Sequence, residues 1–210
     1  MSGSLIGTFD LLDRRTGKFV EAQLVSPAGS SNVADIDGSW RPLMQARIEQ
    51  LRSEDRLTIG ALGESELQDA HWRWSEKIEM SSNRLDRQSF AIVTEGATQG
   101  LMLVTTAGFA KESSQHGKPL VMIDLLATAP WNRRGFDAAP RFKGVGRIMM
   151  AAAISLSVQE EFRGRVGLHA LPQAEAWYRD RVGMADLGID DTRMRYFELT
   201  EDQARAFLAQ

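Results

Sequence analysis

The segment Arg-Phe-Lys-Gly-Val-Gly-Arg, residues 141–147, combines cations with two glycines and opens directly onto the apolar run Ile-Met-Met-Ala-Ala-Ala-Ile. The start of a helix leaves several backbone N–H groups without partners and carries partial positive charge. Glycines at that point let an anion approach the main chain without meeting a Cβ. Five cationic side chains lie close by in sequence: Arg133, Arg134, Arg141, Lys143 and Arg147. The pattern favours an anion site, most often one for phosphate, and the alternative is an ordinary helix start with solvated cations.

Two common phosphate motifs are absent from this segment. The Gly-x-x-x-x-Gly-Lys-Ser/Thr loop of nucleoside-triphosphate-binding proteins does not occur. A dinucleotide fingerprint needs a third glycine after Gly144 and Gly146, and Met149 stands at that position. The sequence therefore argues against both of these nucleotide sites.

The composition is that of an ordinary globular chain. Its 210 residues are 43% hydrophobic and 25% charged, which allows one domain with a sizeable core. Lys and Arg number 25 against 28 Asp and Glu, a formal net charge of −3, so we do not expect nucleic acid as a partner. The chain shows no signal peptide, and no apolar run approaches the roughly 20 residues that span a bilayer. We therefore expect a cytoplasmic protein that does not use a membrane.

The hydrophobic pattern predicts alternating strands and helices. Strands are predicted at Lys18–Val25, Ser89–Thr94, Leu101–Thr106, Leu120–Ala127, Arg165–Leu171 and Met194–Leu199, the second and third as a hairpin. Helices are predicted at Arg41–Ser53, Glu64–Met80, from Val145, at Pro172–Val182 and after Thr200, whose spacing to Gln203 is that of a capping box. The Ser/Gly-rich stretch Ser26–Ser39 is predicted to be loose. This order indicates a mixed α/β fold.

Two segments resemble motifs of the GNAT superfamily of N-acyltransferases. The family's acyl-CoA motif reads Arg/Gln-x-x-Gly-x-Gly/Ala and follows a strand that ends in a small residue, any residue and proline. Here Leu125-Leu126-Ala127-Thr128-Ala129-Pro130 precedes Arg141-Phe142-Lys143-Gly144-Val145-Gly146. The family's helix Ala-x-x-Phe-Tyr-x-x-x-Gly-Phe looks like Ala174-Glu175-Ala176-Trp177-Tyr178 followed by Gly183-Met184. The resemblance covers the C-terminal three-fifths of the chain, and the first part matches only in the order of its elements.

The resemblance implies a mixed, mostly antiparallel central sheet flanked by helices. It implies one domain over residues 1–210, with a strand and two helices over 17–80 and the sheet core over 85–210. It also implies acetyl-CoA as co-substrate, with the pyrophosphate on the backbone of residues 142–147, the pantetheine arm along a splayed central strand, and the cations free to meet the 3′-phosphate. The implied cofactor-binding residues are Leu126, Ala127, Thr128, Arg141, Phe142, Lys143, Gly144, Val145, Gly146 and Arg147.

The chain departs from the family pattern at two places. The family usually runs almost directly from the proline into the arginine, so we interpret Asn132–Pro140 as an insertion that lengthens the loop bordering the cofactor. The family often has an asparagine seven positions before the tyrosine, and Leu171 stands there.

Acyl transfer needs a neutral amine and a proton for the departing thiolate. The chain has no cysteine and no Gly-x-Ser-x-Gly elbow, so direct attack of the amine is the simpler expectation. Tyr178 falls on the family's tyrosine that faces the sulfur, which implies a general acid; the alternative is an aromatic that only anchors its helix. Asp124, the carboxylate of the predicted central strand, is the candidate base through water, or else a buried Asp held by the backbone or an arginine. His169 is a weaker candidate, since a lone histidine there is more often a hydrogen-bonded core residue.

The remaining tryptophan and histidine residues give weaker indications of function. Trp131 and Trp72 are guesses for the lining of an acceptor pocket; Trp72 and Trp74 should diverge on a helix, with at least one in the core. His71 and His116 have no metal-ligand spacing, so no metal is expected.

The leading hypothesis is an N-acetyltransferase that moves an acetyl group from acetyl-CoA to a primary amine of a small molecule or a protein. One alternative is a non-catalytic acyl-CoA-binding or interaction module. Another is toxin-like acetylation of aminoacyl-tRNA, which the net charge of −3 argues against. The sequence leaves the acceptor unidentified and leaves a homodimer open as an oligomeric state.

Overall fold

The computed structural model describes residues 3–136 and 139–209. The strands in them are β1 (Ser4–Asp13), β2 (Lys18–Ser26), β3 (Arg87–Thr94), β4 (Ala97–Phe109), β5 (Pro119–Thr128), β6 (Phe142–Lys143), β7 (Val166–Ala170), β8 (Ala185–Ile189) and β9 (Arg195–Leu199). The helices in them are α1 (Ser30–Asp35), α2 (Arg41–Ser53), α3 (Ile59–Glu64), α4 (Trp74–Ser81), α5 (Val145–Gln159), α6 (Glu175–Trp177) and α7 (Glu201–Leu208).

These strands form one sheet in the order β6-β1-β2-β3-β4-β5-β7-β9-β8. The pairs β1–β2, β1–β6, β2–β3, β7–β9 and β8–β9 are antiparallel, whereas β5 and β7 are parallel. The predicted mixed α/β fold, with a mostly antiparallel sheet flanked by helices, is confirmed. No helix among the described residues combines the length and the apolar character needed to cross a bilayer.

The chain divides into two compact units, described separately below. The first comprises the residues up to Asn83 together with Ser89–Leu101 and Ala127–Gly146. The second comprises Arg84–Gln88, Met102–Leu126 and the chain from Arg147 onward.

The first unit is organised around the long hairpin of β1 and β2. Gly17, at φ +70°, closes its turn, a backbone conformation that glycine adopts without strain. On the outer side of β1, the two residues of β6 pair with Leu12 and Asp13. The segment that follows β5 is thus tied to the first strand of the chain.

A buried ion pair fixes the loop after β5 in the first unit. Arg133 donates to both carboxylate oxygens of Asp69, at 2.6 and 2.7 Å, and their side chains are only 4% and 5% exposed. The same guanidinium donates to the backbone carbonyls of Glu66 and Thr128. Four of the five N–H donors of this buried arginine thus have acceptors, so it can hold the loop in place.

The second unit packs α5 and α7 with its strands. Met149, Met150, Ala153 and Ile154 of α5 are completely buried. Gly164 approaches α7 so closely that a Cβ there would lie 2.9 Å from that of Ala204. The capping box predicted at Thr200 and Gln203 is present and starts α7.

Several predicted elements are confirmed and others are wrong. The predicted helix Arg41–Ser53 coincides with α2. The predicted helix Glu64–Met80 is wrong, because α3 ends at Glu64 and a helix resumes only at Trp74. The stretch Ser26–Ser39 is not loose, since it contains α1 and most of the π-turn Ile36–Trp40, anchored by Asn32 and Asp35 on Thr98.

The predicted hairpin is real but its turn is shorter than expected. Only Glu95 and Gly96 separate the strands, both with positive φ. Thr98 and Gln99 are buried strand residues. The short strands β6 and β8 and the first strand β1 were not predicted. Of the predicted insertion Asn132–Pro140, Asp137 and Ala138 lie outside the described residues.

The buried ion pair generates a stability prediction. Asp69→Ala should lower the free energy of unfolding by about 3–5 kcal/mol, because it leaves the Arg133 charge buried without its partner. The joint replacement Asp69→Leu with Arg133→Met should recover part of that loss. Denaturant unfolding measures both. Glu76→Ala, which removes the exposed partner of Arg73, should leave stability unchanged; equal losses for Asp69→Ala and Glu76→Ala would contradict the structural role of the buried pair.

Candidate active site

The glycine turn of the first unit leads from β6 into α5. Gly144 has φ +116°, and a Cβ on it would lie 3.2 Å from a methyl carbon of Leu11. A side chain is therefore disfavoured at Gly144 both by backbone strain and by space. The helix begins at Val145, so the first-turn amides, including those of Val145 and Gly146, have no acceptor within the helix. A helix thus starts directly after Gly144, as the sequence predicted, and anion binding there stays a prediction.

One of the amides predicted for the cradle is already occupied. The N–H of Phe142 donates to Oδ1 of Asn132 at 3.0 Å. Phe142 itself is buried and paired with Asp13. The amides available to an anion therefore lie later in the turn than the sequence suggested.

The cations near the turn are not all free, which corrects the expectation from sequence. Arg141 is ion-paired with Glu95 and lies 3.5 Å from a carboxylate oxygen of Asp13. In the second unit, Arg147 donates to the carbonyl of Phe207 at 2.9 Å and stacks on that ring. Lys143 is exposed and forms no ion pair with any residue that the structure describes. Whether any of the three contacts CoA stays a prediction.

In the second unit, the parallel strands β5 and β7 separate after three residue pairs. Their pairing covers only Val121, Met122 and Ile123 of β5, opposite Val166, Gly167 and Leu168. Beyond these pairs, Asp124 to Leu126 have no partner on β7. The two strands therefore open a wedge whose edges are backbone groups without a strand partner on that side.

Tyr178 lies buried next to β9 in the second unit. Its ring is 6.1 Å from that of Phe197 between centroids, and its side chain is 6% exposed. Four residues separate it from Gly183, one more than in the motif, and Tyr178–Val182 forms a π-turn that accommodates the extra residue. Burial raises the pKa of the Tyr178 phenol well above its usual range, so the hydroxyl keeps its proton near pH 10, where an ordinary tyrosine ionises.

Asp124 stands at the start of the wedge and is engaged by an arginine. Its carboxylate is 3.2 Å from a guanidinium nitrogen of Arg87, and both side chains are partly exposed. We expected such an arginine partner in the alternative in which Asp124 has only a structural role. Its role as a base stays a prediction.

A histidine–aspartate pair occupies the other face of β7 and β9. His169 Nε2 lies 2.8 Å from a carboxylate oxygen of Asp190, and its ring packs on Tyr196. Lys111, together with Thr192 and His169, holds the pKa of Asp190 well below its usual range. Since Leu168 pairs with Phe197 and His169 with Tyr196, alternation along the strands places His169 and Tyr178 on opposite faces of the sheet. No sequence signal pointed to Asp190, which lies in the unpredicted connection from β8 to β9.

The tryptophans lie in the first unit. Trp131 donates its indole N–H to the Gln99 side chain at 2.8 Å. Trp72 lies just before α4 and meets Trp74 edge to face at 5.8 Å, so the two rings do not diverge as predicted. Trp74 is the core member of the pair. Within residues 3–136 and 139–209, no three His, Asp or Glu side chains come together as a metal site would need.

Comparison with known proteins gives a fold but no close relative. No protein-family model matches the sequence, and no curated protein matches it either. A protein of the GNAT family from Desulfovibrio desulfuricans matches the structure with a TM-score of 0.51 and 10% identity, over 86% of this chain and 99% of that one. The PaiA N-acetyltransferase from Thermoplasma acidophilum, in complex with coenzyme A, matches with a TM-score of 0.48 and 9% identity over 83% and 97%. A mutant AtaT toxin, bound to the C-terminus of the antitoxin AtaR and acetyl-CoA, matches with a TM-score of 0.47 and 13% identity over 67% and 84%.

The first of these similarities establishes the class of fold. The chain has the GNAT acetyltransferase fold, as the two sequence motifs predicted.

The two tyrosines generate a titration prediction. Burial raises the pKa of both Tyr178 and Tyr196, with Glu198 adding to the effect at Tyr196. An ordinary tyrosine is half ionised at about pH 10. The folded protein should therefore show no tyrosinate absorbance near that pH. The free energy of unfolding should fall as pH rises above about 10, because the unfolded chain releases phenolic protons that the folded chain retains. Ultraviolet titration in buffer and in denaturant tests this, and a folded-state midpoint near pH 10 would refute it.

Proposed function

We propose that the protein is an N-acetyltransferase that transfers an acetyl group from acetyl-CoA to a primary amine by direct attack. The observation that carries this proposal is the wedge between β5 and β7, where the parallel pairing ends after three residues. An extended pantetheine arm has amide groups that can pair with an open strand edge as another strand would. In the second unit, the open stretch of β5 ends at Leu126, one of the residues predicted to bind this arm.

We assign the pyrophosphate to the glycine turn of the first unit. The first-turn amides of α5 supply unpaired donors and partial positive charge. Gly146, the second residue of α5, does not have the positive φ of Gly144 and is partly exposed. Ala127 and Thr128 belong to the same unit; the carbonyl of Thr128 already accepts from Arg133 at 2.7 Å, which leaves its second lone pair for the pantetheine arm.

In the second unit, we assign the role of general acid to Tyr178. The amine nitrogen attacks the thioester carbonyl carbon, the carbon–sulfur bond breaks, and the thiolate takes the proton of Tyr178. A phenol carries its proton at neutral pH, and desolvation of the departing thiolate makes it a stronger proton acceptor. The proton lost by the amine goes to a base, and solvent restores the phenol.

We assign the base to Asp124, acting through water, with Arg87 holding the carboxylate in place. His169 is the competing assignment, because Asp190 orients its ring in the way that catalytic histidines are oriented. Both residues directly follow the last β5–β7 pair, Ile123 with Leu168.

The acceptor pocket is proposed to include Trp131 and Trp72 of the first unit. Gln99 fixes the indole of Trp131 by the hydrogen bond at 2.8 Å, and both rings are partly exposed. Rigid, partly exposed aromatic rings suit recognition of the apolar part of an amine.

Binding of the co-substrate is tested by substitution in the glycine turn. Gly146→Trp should abolish acetyl-CoA binding measured by calorimetry, because the indole would fill the space over the first-turn amides. Gly60→Trp is the matched control, since Gly60 is likewise the second residue of a helix in the first unit and is exposed. If Gly146→Trp keeps its melting temperature and still binds acetyl-CoA, the pyrophosphate does not bind at the glycine turn.

Turnover is tested at the two tyrosines with an amine acceptor found by screening. Tyr178→Phe should lower kcat by about a hundredfold or more while leaving acetyl-CoA binding unchanged, because only proton donation is lost. Tyr196→Phe should leave kcat unchanged, since the Tyr196 ring contacts His169 and Lys111 on the face opposite Tyr178. Equal activity of wild type and Tyr178→Phe would exclude the assigned acid. Normal acetyl-CoA binding with no turnover of any amine would favour a non-catalytic binding module.

A further inference from the structure

The segment Asn132–Pro140, which lies between β5 and β6 in the first unit, is closed at its base by two hydrogen bonds. The N–H of Arg141 donates to the carbonyl of Trp131 at 2.8 Å, and the N–H of Phe142 donates to Oδ1 of Asn132 at 3.0 Å. Phe142 also belongs to β6, which pairs with β1. The residues that lead into the glycine turn are therefore held by the start of this segment as well as by β1.

The side chain of Gln99, in β4, fixes the orientation of the Asn132 amide. Oε1 of Gln99 accepts the indole N–H of Trp131 at 2.8 Å and Nδ2 of Asn132 at 3.0 Å. An indole N–H and a backbone N–H can only donate. Because Trp131 needs an oxygen at one end of this chain of bonds and Phe142 needs one at the other, only one orientation of the two amide side chains satisfies all three bonds.

These bonds lie where water has little access. Gln99 and Phe142 are buried, and Asn132 is only partly exposed. A buried N–H that loses its acceptor costs more than a typical hydrogen bond contributes to stability. Removal of the Asn132 amide should therefore displace the backbone at Phe142, from which the glycine turn starts.

We propose that Asn132, oriented by Gln99, is a positioning residue that holds the glycine turn where its first-turn amides bind the pyrophosphate of CoA. The inference rests on the proposed function, which assigns the pyrophosphate to those amides. Phe142 lies two residues before Gly144, whose positive φ turns the chain into α5. Fixing this backbone before the ligand arrives lowers the ordering cost of binding. Asn132 thus acts on the ligand through the backbone of the turn.

The test replaces Asn132 by leucine, a side chain that branches at the same carbon but has no polar atom. Asn132→Leu should weaken the binding of acetyl-CoA by about tenfold in calorimetry, because the turn is no longer fixed before binding. In the absence of any ligand, the amide hydrogen of Phe142 should exchange at least about tenfold faster than in the wild type, measured by NMR.

Asn32→Leu is the matched control, because Asn32 makes the same pair of bonds elsewhere in the first unit. Its side chain accepts the backbone N–H of Gly29 at 2.9 Å and donates to Oγ1 of Thr98 at 3.0 Å. Asn32→Leu should lower the melting temperature, as Asn132→Leu does. It should leave both the affinity for acetyl-CoA and the exchange rate at Phe142 unchanged.

A second variant tests the inference even if Asn132→Leu does not fold. Gln99→Leu leaves Asn132 in place but removes its acceptor, so it should also weaken the binding of acetyl-CoA. The combined variant should bind no more weakly than Asn132→Leu alone, since both changes act through one amide. Additive losses of affinity would show that Gln99 does not act through Asn132.

The outcomes separate this inference from the proposed function. If wild type and Asn132→Leu bind acetyl-CoA equally, or if Asn132→Leu and Asn32→Leu weaken binding equally, the inference is wrong while the proposed function stands. Faster exchange at Phe142 without weaker binding would likewise overturn it, because Asn132 would then serve stability alone. If wild type does not bind acetyl-CoA, the proposed function fails and the inference with it.

Discussion

The early end of the parallel pairing between β5 and β7 is the constraint on which the candidate site depends. A strand that stops pairing normally leaves costly backbone groups, so something must hold it apart from its neighbour. β7 continues to pair with β9 as far as Ala170 and Arg195. β5 runs on to Thr128, whose carbonyl binds Arg133, and the next amide, of Ala129, binds the carbonyl of Gln99. β7 and the end of β5 thus have other partners beyond the point where the two strands diverge.

The alternation of side chains along β9 gives the second unit two chemically different faces. Phe197 contacts Tyr178, whose pKa is raised by burial. Tyr196, the preceding residue, contacts His169 and Lys111, which share the carboxylate of Asp190. The two faces thus differ in chemistry: Tyr178 lies buried against an apolar ring, whereas His169, Asp190 and Lys111 form a polar, charged group. A shift of the β9 register by one residue would exchange the side chains on these two faces.

The sequence could predict the elements whose signals are local. The capping box before α7, Pro42 in the first turn of α2 and the left-handed Gly183 after Val182 each act through neighbouring backbone, so their patterns are readable. In the segment expected to be one helix, Glu64–Met80, Asp69 instead binds Arg133, a contact 64 residues away that no local pattern reveals. Asn32 and Asp35 likewise turn a Ser/Gly-rich stretch into helix by binding Thr98. Within the candidate site, the glycine turn and Tyr178 were readable from motifs, whereas Asp190 and the partners of Asp124 and Arg141 depend on tertiary contacts.

The cations show most clearly why closeness in sequence misleads. An arginine beside a phosphate-binding turn can bind phosphate only if the fold does not already use its charge. Arg133 is buried on Asp69, Arg141 neutralises Glu95, and Arg147 lies on Phe207, so these side chains serve the structure around the turn. Removing them would change the shape of the site as well as its charge. Lys143, in contrast, is exposed and has no ion pair among the residues that the structure describes, so its charge stays available.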